Sequence, residues 1–297
     1  MGSEMCIRDR YLDLYKIDGT KNLDTNPCFG SAKTYPNFQE KLSEFKDLLV
    51  DLVDKNESKT FYKFGDGDYF FLKGEAVGSA TPGRRALSKP YSEIDHQAFK
   101  DGARECDYYT CEIYPDNRQK FSEVLPGVSI DYPAEFGYGL VTNKWLLQTF
   151  AGKIGLIGAD IKMNIIRNVI EAPQYQEYLG LEQFEDYVSL PQRFACDDID
   201  ATEKMVGEQL ENTTSKIFLM GMGHVKSGLI HRLKKYTDAV FLDVGASIDA
   251  LAGIIDVERP YAGDWTNYQI DEPELYSGVD YLAYEGKGKH ILLERND

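Results

Sequence analysis

Three stretches of this chain bring together residue types that handle charged ligands. The first is Phe64-Gly65-Asp66-Gly67-Asp68, two carboxylates one residue apart between glycines. An Asp-x-Asp turn supplies two oxygen ligands to one hard divalent cation, and Gly65 and Gly67 let backbone come close to a diphosphate. Asp66 and Asp68 are therefore the expected metal ligands, for Mn2+ or Mg2+; the competing reading is a solvated turn, since Asp and Gly form turns in any protein. The second is Gly221-Met222-Gly223-His224, which follows the apolar run Ile217-Phe218-Leu219-Met220. Small residues at Gly221 and Gly223 free the first N–H groups of a following helix for a phosphate, and the helix dipole favours an anion there. The full dinucleotide fingerprint is absent, because Lys226 occupies the place of its third glycine. His224 is expected at the pocket mouth, neutral and able to donate to a phosphate or hydroxyl.

The third stretch is Val240-Phe241-Leu242-Asp243-Val244-Gly245-Ala246-Ser247-Ile248-Asp249. Asp243, closing a strand, can accept hydrogen bonds from a ribose or sugar hydroxyl, and Asp249 can line the same cleft; helix capping is the alternative for both. A further strand end, Ile157-Gly158-Ala159-Asp160, leaves Gly158 open between ligand contact and tight strand-to-helix packing. His96, His231 and His290 are read as structural or exposed histidines.

The elements that must hold these residues follow from hydrophobic period. Phe38, Leu42, Phe45, Leu48, Leu49, Leu52 and Val53 repeat at helical spacing and stop at the polar run 54–57, which predicts an amphipathic helix. Strands are predicted at 60–64, 108–113, 153–157, 187–190, 216–220 and 239–243, with helices over 91–104, 140–150, 161–171, 201–210 and 225–236. Short strands alternating with longer helices indicate an α/β, Rossmann-like, mostly parallel sheet flanked by helices. In such a sheet ligands sit outside the carboxyl ends of the strands, where the three stretches fall.

The chain has 297 residues, with 33 Lys and Arg against 49 Asp and Glu, a formal charge of −16. That charge repels nucleic acid and anionic membrane at long range, and it makes a metal bridge useful if the ligand is a phosphate. Five cysteines without C-x-x-C spacing suggest a reducing, cytoplasmic setting. No apolar run has membrane-spanning length, so no integral membrane segment is expected, and the N-terminus lacks the order of a signal peptide. Residues 1–10 read as a non-native segment, and 11–297 as a single domain.

The order of these pieces resembles the glycosyltransferases of the GT-D fold type. In that family an early strand ends in Phe-Gly-Asp-Gly-Glu/Asp, and a late strand with a Gly-Pro-Gly-like turn leads to a helix and an Asp-x-Gly segment. Phe64 to Asp68, Gly221-Met222-Gly223 and Asp243-Val244-Gly245 match these, and Lys144-Trp145 with 153–158 resemble the middle segment. The likeness covers roughly 60–260. It implies a metal-dependent glycosyltransferase of hexosyltransferase type, moving a sugar from a nucleotide-sugar donor to a glycan or lipid-linked glycan acceptor. Asp66 and Asp68 would engage the metal and the donor diphosphate. The chain departs from the pattern at Asp68, where Glu is frequent, and at Met222, which replaces proline. The resemblance yields no catalytic base; Glu75, Asp160 and Asp264 are candidates by chemistry alone. Loops 74–90, with Arg84 and Arg85, and 259–276 are expected to recognise the acceptor.

Two other functions compete. Phe241-Leu242-Asp243-Val244-Gly245 looks like the first motif of S-adenosylmethionine-dependent methyltransferases, but only about fifty residues of the 297 follow Gly245, too few for the rest of that fold. A non-catalytic nucleotide or carbohydrate-binding module would use the same pocket.

Overall fold

A helical stripe of Phe38, Leu42, Phe45, Leu49, Leu52 and Val53 is buried along α1 (Phe38–Asp54), which lies against the first strand. The computed structural model describes residues 37–113 and 115–254, together with Trp265, Tyr268, Ile270 and 272–277; Asp264, His290 and segment 1–10 lie outside the described residues.

The strands are β1 (Lys59–Phe64), β2 (Tyr108–Cys111), β3 (Tyr132–Pro133), β4 (Ile154–Ala159), β5 (Asp186–Leu190), β6 (Ile217–Gly221) and β7 (Val240–Asp243). They form one sheet in the order β3-β2-β1-β7-β6-β4-β5, and every pairing is parallel. A parallel sheet is covered on both faces, so its strands are buried throughout; all six residues of β4 are. Alternation decides which face each side chain serves. Ile217, Leu219, Val240 and Leu242 join one core, while Phe218, Met220 and Phe241 join the other.

The helices after α1 are α2 (Asp66–Lys73), α3 (His96–Arg104), α4 (Pro115–Val124), α5 (Ala134–Thr142), α6 (Trp145–Thr149), α7 (Asp160–Val169), α8 (Pro173–Leu179), α9 (Ile199–Leu210), α10 (Lys226–Leu233) and α11 (Ser247–Leu251). Crossovers from β1 to β2 to β3 and from β5 to β6 to β7 run one way along the sheet. Their helices α2, α3, α4, α9 and α10 all pack in one core. Crossovers from β3 to β4 to β5 run the other way, and α5 to α8 pack on the opposite face. One crossover handedness demands this segregation. At β4 and β6, which are neighbours, the chain departs in opposite directions and to opposite faces. That is a topological switch point, where helices diverge and leave a crevice.

Three local expectations change. Residues 66–68 are the first turn of α2, not a flexible turn, because Gly65 caps the helix in extended conformation and two early carboxylates suit its positive end. The helix expected over 140–150 is broken into α5 and α6 at Lys144, which takes a left-handed φ of 67°. The one expected over 91–104 is a 3-10 turn at Tyr91–Glu93 followed by α3, whose start is capped by Asp95 accepting from the Ala98 N–H.

Candidate functional site at the carboxyl edge of the sheet

The helical setting of residues 66–68 governs their chemistry. Positions i and i+2 of a helix do not face each other. Asp66 is exposed and accepts from the Gly67 N–H at 2.8 Å, whereas Asp68 is buried. Asp68 Oδ2 accepts from the Gly65 N–H at 2.9 Å and lies 3.1 Å from Lys226 Nζ; Oδ1 lies 3.5 Å from His224 Nδ1. Burial alone would raise the Asp68 carboxyl, but Lys226, His224 and Lys63 outweigh it and hold the group well below the usual range. Asp68 is thus a carboxylate whose two oxygens are already engaged. Among the described residues no three His, Cys, Asp or Glu side chains stand close enough to hold a metal ion together. This donor set does not fit one cation held jointly by Asp66 and Asp68.

Lys226 occupies the centre. It opens α10 and is buried; its Nζ donates to the backbone carbonyl of Lys63 and forms ion pairs with Asp68 Oδ2 and with Asp243 Oδ2 at 2.8 Å. Below it lies the Tyr62 ring, 5.1 Å from Nζ, with the Tyr62 hydroxyl 2.9 Å from Ser227 Oγ. Asp243 also accepts from the Gly245 N–H at 2.9 Å, a tight return in which Gly245 takes φ 52°. Thus Asp243 closes its strand as the sequence suggested, but a lysine and a backbone amide hold its carboxylate.

Beside this network a pocket of about 110 Å3 opens at the switch point. It is lined by the ends of β4, β5 and β6, by 221–225, and by Ser79 and Arg85 from the loop after α2. His224 joins pocket and network: Nε2 is 2.9 Å from Ser79 Oγ, and its ring stacks on Phe71 at 5.0 Å. A Cβ on Gly67 would stand 2.9 Å from His224 Cε1, so the glycine makes room for the imidazole. Gly223 lines the pocket with φ 60°, and a Cβ there would meet open space; backbone conformation, more than crowding, is what its glycine serves.

No family model matches this chain, and no curated protein or solved structure matches it. Its own geometry must carry the functional argument.

The structure sorts the remaining sequence candidates. Gly158 and Gly221 are packing glycines: a Cβ would stand 2.9 Å from Met163 Cε in the first case and 2.8 Å from the Gly245 carbonyl in the second. Asp249 pairs with the buried Lys162 and does not line the pocket. Asp160 is exposed at the start of α7, its Oδ1 accepting from the Ile161 N–H. Glu75 follows the far end of α2 and pairs with Lys73 at 3.1 Å, so it is not brought to the site. His96 and His231 pack among neighbours as structural residues, against Phe71 and Gly102 respectively.

Sequence reasoning missed Ser79, and it noted Lys226 only as the residue that breaks the dinucleotide fingerprint. The other basic residues on and just after α10 are neutralised by acidic partners: Arg232 by Asp200 and Glu203, Lys234 by Asp107, Lys235 by Glu203. It also missed Glu135, buried at the start of α5 after β3. Glu135 Oε1 accepts from the Ile113 N–H at 3.1 Å, and Oε2 has no hydrogen-bond partner. Burial first, then the neighbouring Glu112, pushes its carboxyl up to about 8. A lone Glu in an apolar helix carried no signal of this.

Proposed function

We propose that this protein is a glycosyltransferase of the GT-D type, transferring a sugar from a nucleotide-sugar donor at the carboxyl edge of its sheet. One observation carries the reading. Segments 64–68 and 243–245, which stand far apart in the chain in the order that resembles that family, meet at one side chain: Lys226, three residues past the Gly221-Met222-Gly223 turn, pairs with both Asp68 and Asp243. In the reading, the donor diphosphate enters the neighbouring pocket, where Arg85 supplies positive charge and the Gly221-Met222-Gly223 backbone comes close. Lys226 fixes the Asp68 carboxylate and, with it, the start of α2. The acceptor, a glycan or lipid-linked glycan, approaches across the loop holding Ser79 and Arg85, and the reaction runs in the cytoplasm. No described helix is long and apolar enough to cross a membrane.

The test is a panel of uridine and guanosine diphosphate sugars, read by thermal shift and by release of nucleoside diphosphate, with Mn2+, with Mg2+ and with chelator. At least one donor is expected to raise Tm and to be cleaved. Stabilisation without cleavage would favour a binding module, and no response to any donor would end the reading.

A further inference from the structure

Resting on the transferase reading, we infer that His224 is the general base that takes the proton from the acceptor hydroxyl, with Asp68 as its positioning residue. Ser79, His224 and Asp68 form a relay from pocket to buried carboxylate. Ser79 Oγ lies 2.9 Å from Nε2, on the pocket side, and Nδ1 faces Asp68 Oδ1 at 3.5 Å with no closer hydrogen-bond partner. A base must offer a free lone pair where the reacting proton sits, and a partner for its other nitrogen fixes the tautomer. Asp68 calls for the tautomer with the proton on Nδ1, which leaves the Nε2 lone pair towards the pocket. The ring cannot swing away easily, because Phe71 stacks on it at 5.0 Å and the side chain is 10% exposed.

The groups around the imidazole all have a part. Lys226, 3.1 Å from Asp68, keeps that carboxylate charged, so an imidazolium at His224 has an anion beside it. Ser79 Oγ marks where an oxygen bonded to Nε2 sits; rotation of the serine hydroxyl about χ1 frees the Nε2 lone pair, and an acceptor hydroxyl or a water entering the pocket takes that place. The hydroxyl oxygen then bonds the sugar C1 and its proton passes to Nε2. The bond from C1 to the diphosphate oxygen breaks, and its electron pair leaves with the nucleoside diphosphate. The sequence marks no residue of the relay as a base: it points to Asp68 as a metal ligand and to His224 as a donor, and it gives Ser79 no role.

The experiment uses the full chain and measures kcat and KM for release of nucleoside diphosphate from the responding donor, with water as acceptor. It compares wild type with His224→Gln, His224→Ala and Ser79→Ala. Gln retains volume and a hydrogen bond to Ser79 but has no basic nitrogen, so it controls for collapse of the ring site. Both His224 variants are expected to lower kcat by about a hundredfold or more while KM and the Tm shift from nucleoside diphosphate stay near wild type. Ser79→Ala is expected to lower kcat by less than about tenfold, since the entering oxygen replaces Oγ. His224→Gln with kcat within threefold of wild type overturns the assignment. So does loss in Ser79→Ala equal to that in His224→Gln together with a covalent adduct on Ser79, which would make the serine a nucleophile. A wild type that neither binds nor cleaves any donor overturns the transferase reading and the base with it, whereas binding and cleavage with intact His224 variants overturns the base alone.

Discussion

Two buried lysines stand in the opening turns of helices that leave adjacent strands, Lys162 in α7 after β4 and Lys226 in α10 after β6. Each reaches a carboxylate that the sequence singled out as a ligand group, Asp249 for Lys162 and Asp243 for Lys226. The resemblance ends there. Lys162 and Asp249 join α7 to α11 on one face of the sheet, and neither lines the pocket. Lys226 ties β1, β7 and α2 together and touches the carboxylate that faces His224, so its charge is felt at the pocket. The same device is therefore a fastener at one strand end and a functional support at the next. What separates them is the second carboxylate that Lys226 also holds, Asp68, whose other oxygen faces His224.

Substituting each lysine by methionine keeps most of the volume and breaks that equivalence. Lys226→Met takes the cation from Asp243 and the largest of the positive charges from Asp68, whose side chains are 2% and 6% exposed, and is expected to cost about 3–5 kcal/mol in urea denaturation, with donor cleavage lost. It should also move the acid limit: Asp68 titrates below the usual carboxylate range when folded, so its contribution is full at neutral pH and is lost as pH falls below the 3.8 of an ordinary Asp. Lys162→Met removes one partner of Asp249, whose side chain keeps 13% exposure, and is expected to cost less, about 2–3 kcal/mol, with the donor-induced Tm shift retained. Equal loss of donor response in the two variants would erase the distinction.

Glu135 sharpens the contrast, because its Oε2 has no hydrogen-bond partner at all. Its folded pKa of about 8 lies above the ordinary 4.5, so the folded state holds the proton more tightly and stability falls as pH rises between those values. Glu135→Gln is expected to flatten that part of the stability profile relative to wild type; identical slopes would place the proton elsewhere. Gly67→Ala has the smallest effect on folding, within about 1 kcal/mol, since the gain in helix propensity offsets the crowding. Its Cβ would displace the His224 ring, and donor cleavage is expected to fall roughly a hundredfold at nearly unchanged Tm.

Periodicity alone revealed most of the scaffold. The continuous apolar runs at 217–220 and 240–242 and the helical stripe from Phe38 to Val53 each report a local burial pattern, and burial is imposed on every residue of an element at once. The parallel sheet follows, and so does the expectation that chemistry gathers at the strand ends. Partner choice was not legible. Asp68 reads as a chelating turn until Gly65 is seen to cap a helix that sends Asp66 outward and Asp68 inward. Lys226 reads only as a break in the dinucleotide fingerprint until α10 sets it against a carbonyl of β1 and carboxylates of α2 and β7. Ser79 and Glu135 have no local pattern, since what makes each notable is an atom brought near by a distant segment. Local sequence determines the period of burial, and hence the elements and their order. Which charges neutralise one another, and which nitrogen is left facing a pocket, depends on crossover direction and strand order, and those are decided only when the whole sheet assembles.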